Sequence, residues 1–235
     1  MDKKLSDLVN RLQSAHKDRL VSVILYGSGA GGNHHAKYSD LNVFCVLTKV
    51  APRELADAEP IFRWWTGLGN PSPLLMSEDE VRTSTDCFPI EFHDMQEQRK
   101  VLFGKDVIAD LVIDHTFYRA QVEHDLRAKL LRLRQKAGGV LSDSKALLRL
   151  MLDSVSTFCV LARHALLLSG KSVGWPKREV ADKLAELGAD PAPFHELLDV
   201  REQKKRELDV EPDTLFERYL KQIEILVAFV DRLDK

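Results

Sequence analysis

Residues 21–47 read VSVILYGSGAGGNHHAKYSDLNVFCVL, and the fold turns on how this stretch is taken. Two apolar runs, Val21–Tyr26 and Leu41–Leu47, have the composition of strands. Between them, Gly27, Gly29, Gly31 and Gly32 place four of the chain's 12 glycines within six residues. Gly27-Ser28-Gly29-Ala30-Gly31-Gly32 matches the G-x-G-x-x-G fingerprint of dinucleotide binding, which needs a helix between parallel strands. Only Asn33 to Asp40 separate Gly32 from the next strand. A parallel crossover requires about a dozen residues or more, so the fingerprint fails on context. A Walker A loop fails too, because Asn33-His34 stand where Lys-Ser/Thr is required. From these residues alone, a plain glycine-rich turn between strands survives.

Outward from this stretch, residues 1–115 mix helix and strand signals. Leu5, Leu8, Val9 and Leu12 recur at helical spacing ahead of the first strand. A helix is expected from about Arg53 to Trp65, ending on the Trp64–Trp65 pair packed against the sheet, and Pro73–Met76 reads as a short edge strand. Ser77-Glu78-Asp79-Glu80 is a capping box for a brief helix. Pro89–Met95 (PIEFHDM) alternates Ile90 and Phe92 with polar residues and reads as a third strand. On such a strand Glu91 and His93 share a face, and Asp94 points the other way.

From residue 116 the pattern turns wholly helical, with periodic stretches over 117–137, 144–169, 177–187, 194–206 and 213–234. Gly170 and Gly188 stand where helices end, and Pro176 where one begins. The expected fold is therefore α+β: a small mixed-sheet head over residues 1–115, then an all-α helical bundle over 116–235. Ala146–Ser169 is the most apolar long stretch, but Arg149, Asp153, Arg163 and His164 within it favour a buried bundle helix over a membrane span.

Lys+Arg number 34 and Asp+Glu 36, a net charge of −2, which argues against a general nucleic-acid binder. The halves differ. Residues 1–115 carry 13 basic and 17 acidic side chains, residues 116–235 carry 21 and 19. Cys45, Cys87 and Cys159 lie far apart in apolar runs without a CxxC pair and read as reduced core thiols. The charged N-terminus MDKKLSDLVNRLQ lacks the apolar core of a signal peptide, so a cytoplasmic protein is expected.

Tyr26-Gly27-Ser28, then Asp40-Leu41-Asn42-Val43-Phe44, then Ile90-Glu91-Phe92 resemble, in order and spacing, the nucleotidyltransferase superfamily typified by DNA polymerase β. Its pattern is an apolar residue, Gly and Gly/Ser, an intervening loop, Asp-x-Asp/Glu opening an apolar strand, and a third carboxylate on a later strand. A mixed head with a helical C-terminal half is similar to stand-alone bacterial members such as aminoglycoside nucleotidyltransferases. The resemblance implies transfer of a nucleoside monophosphate from a Mg²⁺-bound NTP, ATP first, to a hydroxyl of a small-molecule acceptor. Asp40 and Glu91 would be catalytic, with Asp40, Asn42 and Glu91 as the metal ligands. Ser28, Gly27, Gly31 and Gly32 would cradle the phosphates, and Lys145, early in the long helix, would reach them from the helical half. The spacing suits the chemistry: residues two apart on a strand project to one face, and Mg²⁺ takes oxygen ligands.

Asn42 departs from the pattern. Its amide oxygen still ligates but brings no charge, leaving two carboxylates to hold the metal. The metal site is weakened, and either the enzyme works with one tightly held metal, a nearby acid such as Asp94 substitutes, or the head binds nucleotide without turning it over. A further reading is a HEPN-type ribonuclease in the helical half, from Arg119 and His124 as R-x4-H. His34-His35 read as exposed loop histidines, and Arg201, Lys204, Lys205 and Arg206 as a solvated helix end. The oligomeric state is open.

Overall fold

The computed structural model describes residues 3–31 and 41–233, with Ser28 described by its backbone alone. The chain divides into two compact units, Met1–Phe117 and Tyr118–Lys235.

In the first unit α1 (Lys3–His16) leads into β1 (Leu20–Tyr26), followed by a 3-10 turn at Gly27–Gly29. Then come β2 (Asn42–Leu47), α2 (Pro52–Gly67), β3 (Leu74–Ser77), α3 (Glu78–Thr83), α4 (Pro89–Glu97) and β4 (Arg99–Gly104). The strands form a mixed sheet in the order β3-β2-β1-β4. β1 runs antiparallel to both β2 and β4, while β2 and β3 are parallel. The antiparallel β1–β2 pair needs no crossover helix, which is why the short connection suffices where a dinucleotide fold would not fit.

Both faces of the sheet are covered, so the central strands are apolar on both sides. Val23, Leu25, Val43, Cys45 and Leu47 pack with Leu5, Leu8 and Leu12 of α1 and with Ile61 and Trp65 of α2. Ile24, Phe44 and Val46, on the opposite parity, pack with Phe92 and Met95 of α4, joined by Met76, Val81 and Ile108. Arg19 ties the first layer together by pairing with Glu54 at 2.5 Å and Asp57 at 2.7 Å. Glu54 also accepts the Ala51 N–H at 3.1 Å, which closes the start of α2. Ser77 and Glu80 satisfy each other's backbone N–H groups at the start of α3, as the capping box requires.

Pro89–Met95 is not a strand. It lies within α4, with Pro89 at the first helical position and Phe92 and Met95, three apart, buried on one side. The alternation of Ile90 and Phe92 covers too few positions to separate the two periods, and Met95 follows the helical one. Arg99 locks the far end of α4, donating to the carbonyls of Met95 at 3.3 Å and Gln96 at 2.8 Å while gripping Asp106.

The second unit is helical: α5 (Tyr118–Ala137), α6 (Ser144–Leu168), α7 (Lys177–Asp182), a 3-10 turn over Lys183–Leu187, α8 (Ala192–Arg201) and α9 (Pro212–Arg232). α6 is long and apolar enough to cross a membrane by length and composition, but its Leu147, Met151, Phe158 and Leu166 are buried in the bundle core. Two buried polar residues of α6 are engaged inside this unit. His164 Nδ1 lies 2.5 Å from the Tyr118 hydroxyl, and the Arg163 guanidinium stacks 4.0 Å from the Trp175 ring centre. Asp143 caps α6 by accepting the Ala146 N–H at 2.9 Å. Pro176 occupies the N-cap of α7, one residue earlier than expected, and Gly188 turns left-handed after the 3-10 segment.

Arg201 does not belong to a solvated helix end. It donates to the Leu152 carbonyl and the Ser156 hydroxyl of α6 and so pins α8 to the bundle. Cys45 and Cys159 are buried, and burial raises each thiol to about 12. Cys87 is exposed, contrary to the core placement its apolar neighbours imply.

Candidate functional site

The site begins where β1 runs out. Tyr26 ends the strand, and Gly27 turns the chain at φ +70°, a conformation that disfavours a side chain. The Gly27 carbonyl accepts the Ala30 N–H at 2.9 Å, which closes the turn. Across the sheet, Tyr26 pairs in register with Asn42 on one side and Arg99 on the other. Tyr26 and Asn42 share parity with Ile24 and Phe44, so the register puts both on the sheet face covered by α4.

On that face, α4 presents two acids. Glu91 is half-buried and Asp94 buried. Burial, then the negative charges of Glu91 and Asp94, push the Tyr26 phenol up to about 12. That shared influence places both carboxylates near the end of β1. The helix also overturns the strand-parity expectation: residues three apart lie on one helical face, so Asp94 accompanies Glu91. His93, expected beside Glu91, instead pairs with Glu97 at 3.3 Å, and its ring meets His115 edge-on at 6.1 Å.

Glu91 therefore lies on a helix, whereas the resemblance implies a strand. The later strand antiparallel to β1 is β4, whose residues Arg99 to Gly104 include no acid. Asp40, Gly32, His34 and His35 lie outside the described residues. Gly31 lies against the Gln98 side chain, and the side chain of Ser28 is not described. In the second unit, Lys145 is exposed on the first turn of α6, at the edge of an open cavity of about 520 Å³ that Lys136, Asp143, Arg149 and Asp153 also line.

Arg119 is held by Glu123 at 2.8 Å and the Val230 carbonyl at 3.3 Å, while His124 is exposed beside Asp125. Sequence reasoning missed Gln98 and undervalued Asp94. The signal that would have found Asp94 was Pro89, a common first residue of a helix.

A mixed head with a glycine turn between antiparallel strands, joined to a helical unit, is a nucleotidyltransferase-like fold. Among solved structures, this chain is similar to spectinomycin adenyltransferase AAD(9) from Enterococcus faecialis, determined with ATP and spectinomycin. The two share 14% identity, the match covers 97% of this chain and 98% of that one, and the TM-score is 0.64. No protein-family model and no curated protein matches.

Proposed function

We propose that the chain transfers a nucleoside monophosphate from Mg²⁺-bound ATP to a hydroxyl of a small-molecule acceptor, the acceptor oxygen bonding the α-phosphorus as the α–β bond breaks and pyrophosphate leaves. The reading is carried by Glu91 and Asp94, three apart on α4, whose charges both act on Tyr26, the register partner of Asn42. Two carboxylates and an amide oxygen, with Asp40, are a hard donor set that suits Mg²⁺. In this reading Asp94 supplies the charge that Asn42 lacks. When bound, the metal offsets the charge of the triphosphate. The backbone of Gly27 to Gly32 and Ser28 hold the phosphates, and Glu91 accepts the proton of the acceptor hydroxyl. ATP and spectinomycin are the substrates to try first, because the similar adenyltransferase was solved with both. Three free cysteines suit a reducing cytoplasm.

A second reading, a nucleotide-binding protein without turnover, draws on Asn42 and on the missing acid in β4. Calorimetry with ATP and Mg²⁺, paired with a nucleotide-transfer assay on spectinomycin and related polyols, separates the two. Binding with transfer supports the first reading. Binding without transfer to any acceptor supports the second, and no binding removes both.

A further inference from the structure

Gln98, where α4 ends and β4 begins, reaches both ends of the glycine turn. The Gln98 N–H donates to the Asp94 carbonyl at 3.0 Å, and its own carbonyl accepts the Gly27 N–H at 3.0 Å. Its side chain runs to the other end of the turn. A Cβ added at Gly31 would stand 1.8 Å from Gln98 Nε2 and 2.9 Å from Cδ, so the amide fills the space that glycine leaves. Gln98 Oε1 is buried and has no hydrogen-bond partner among the described residues. Withdrawing an amide oxygen from water without a donor is unfavourable, and leucine, of similar size, would occupy the space without that penalty. The amide is therefore not explained by packing.

We infer that Gln98 is the positioning residue of the nucleotide site: its main chain fixes Gly27, its side chain sets the path of the chain at Gly31, and together they hold the turn in the shape that receives the triphosphate. This rests on the proposed nucleotidyltransferase reading. Gln98 acts through the turn and touches no reacting atom. It also couples the phosphate turn to the acids, because the same residue closes α4 on the Asp94 carbonyl. A shift of α4 is thereby transmitted to Gly27.

The test measures Mg²⁺–ATP affinity by calorimetry, with thermal midpoints alongside, for the full chain and for Gln98→Leu, Gly31→Ala and the double variant Gly31→Ala/Gln98→Ala. Gln98→Leu is expected to weaken Mg²⁺–ATP by about tenfold while the thermal midpoint stays near that of the parent. Gly31→Ala, whose new methyl meets the amide, weakens binding further, and the double variant recovers part of that loss because the obstruction is gone. Should Gln98→Leu bind as tightly as the parent, or lose only thermal stability, the positioning role is overturned and the nucleotidyltransferase reading stands. Failure of the parent to bind Mg²⁺–ATP overturns that reading instead.

Discussion

Glu91 and Asp94 stand three residues apart on α4, and both carboxylates act on the phenol of Tyr26. Two acids on one short helix cannot be read as two acids on a strand, where their parities would oppose. This one change of element alters the chemistry available at the end of β1. In the proposed scheme the negative charge that Asn42 withholds comes from Asp94, on a helix that Pro89 starts and Arg99 locks.

Replacing each acid separately distinguishes their roles. In the proposed scheme Glu91→Gln removes a base and a ligand, and nucleotide transfer falls by about 10²–10⁴-fold at saturating Mg²⁺. Asp94→Asn removes a ligand only, so its loss is partly recovered by raising Mg²⁺. Initial rates across a Mg²⁺ titration check both, and equal rates in Glu91→Gln and the parent would exclude it as the base.

Asn42→Asp restores the motif carboxylate. One added charge at the metal tightens it, and the Mg²⁺ concentration for half-maximal transfer is expected to drop by about tenfold, worth ~1.4 kcal/mol. If the variant transfers nucleotide and the parent does not, the native head is a binding module. A Mg²⁺ dependence identical in both would place Asn42 away from the metal.

Tyr26 reports the acids without any assay of activity. Its pKa is raised to about 12, above the ordinary 10, by burial first and by Glu91 and Asp94 after it. The folded state therefore keeps the phenolic proton when the unfolded state has lost it. The stabilising contribution is full below pH 10 and is lost as pH rises through the folded value. Following phenolate absorbance against pH, Tyr26→Phe should remove a late-titrating tyrosine. Glu91→Gln and Asp94→Asn should each bring that titration to lower pH. No movement in either variant would mean that the two carboxylates do not face the phenol.

Most of the fold is legible in the sequence because its strands and long helices carry strong local patterns. Val21–Tyr26 and Leu41–Leu47 are apolar on both parities apart from Ser22 and Asn42, and the structure explains why: both sheet faces are covered, one by α1 and α2, the other by α4. The capping box at Ser77 specifies α3 on its own. The site is less legible. PIEFHDM is short and apolar at positions compatible with both periods, and tertiary packing of Phe92 and Met95 decides for helix. Gln98 was invisible because its importance rests on a close approach to Gly31 across 67 residues of chain, and spacing alone does not report such a contact. Arg201 likewise sits in a run of charges, yet its hydrogen bonds to α6 belong to the packed bundle.

His16 sets the acid limit of the head. It is wholly buried at the end of α1, and neither ring nitrogen has a hydrogen-bond partner among the described residues. Burial lowers its pKa below the ordinary 6.5, the positive charge of Arg19 lowers it further, and the carboxylates of Asp57 and Glu54 oppose this only in part. The unfolded chain thus takes up a proton at pH 6.5, where the folded head still refuses it. Stability falls as pH drops below 6.5 and continues to fall until the folded value is reached. Glu54 and Asp57 act in a separate, more acidic window: Arg19 holds both below their ordinary 4.5 and 3.8, so their contribution is present at neutral pH and is lost below those values. Urea midpoints measured between pH 7.5 and 5 should therefore decline in the parent. In His16→Leu, which fills the same space with an apolar side chain, the decline over this interval should flatten, while the steeper loss below pH 4.5 persists. An undiminished slope in His16→Leu would show that another group carries the titration.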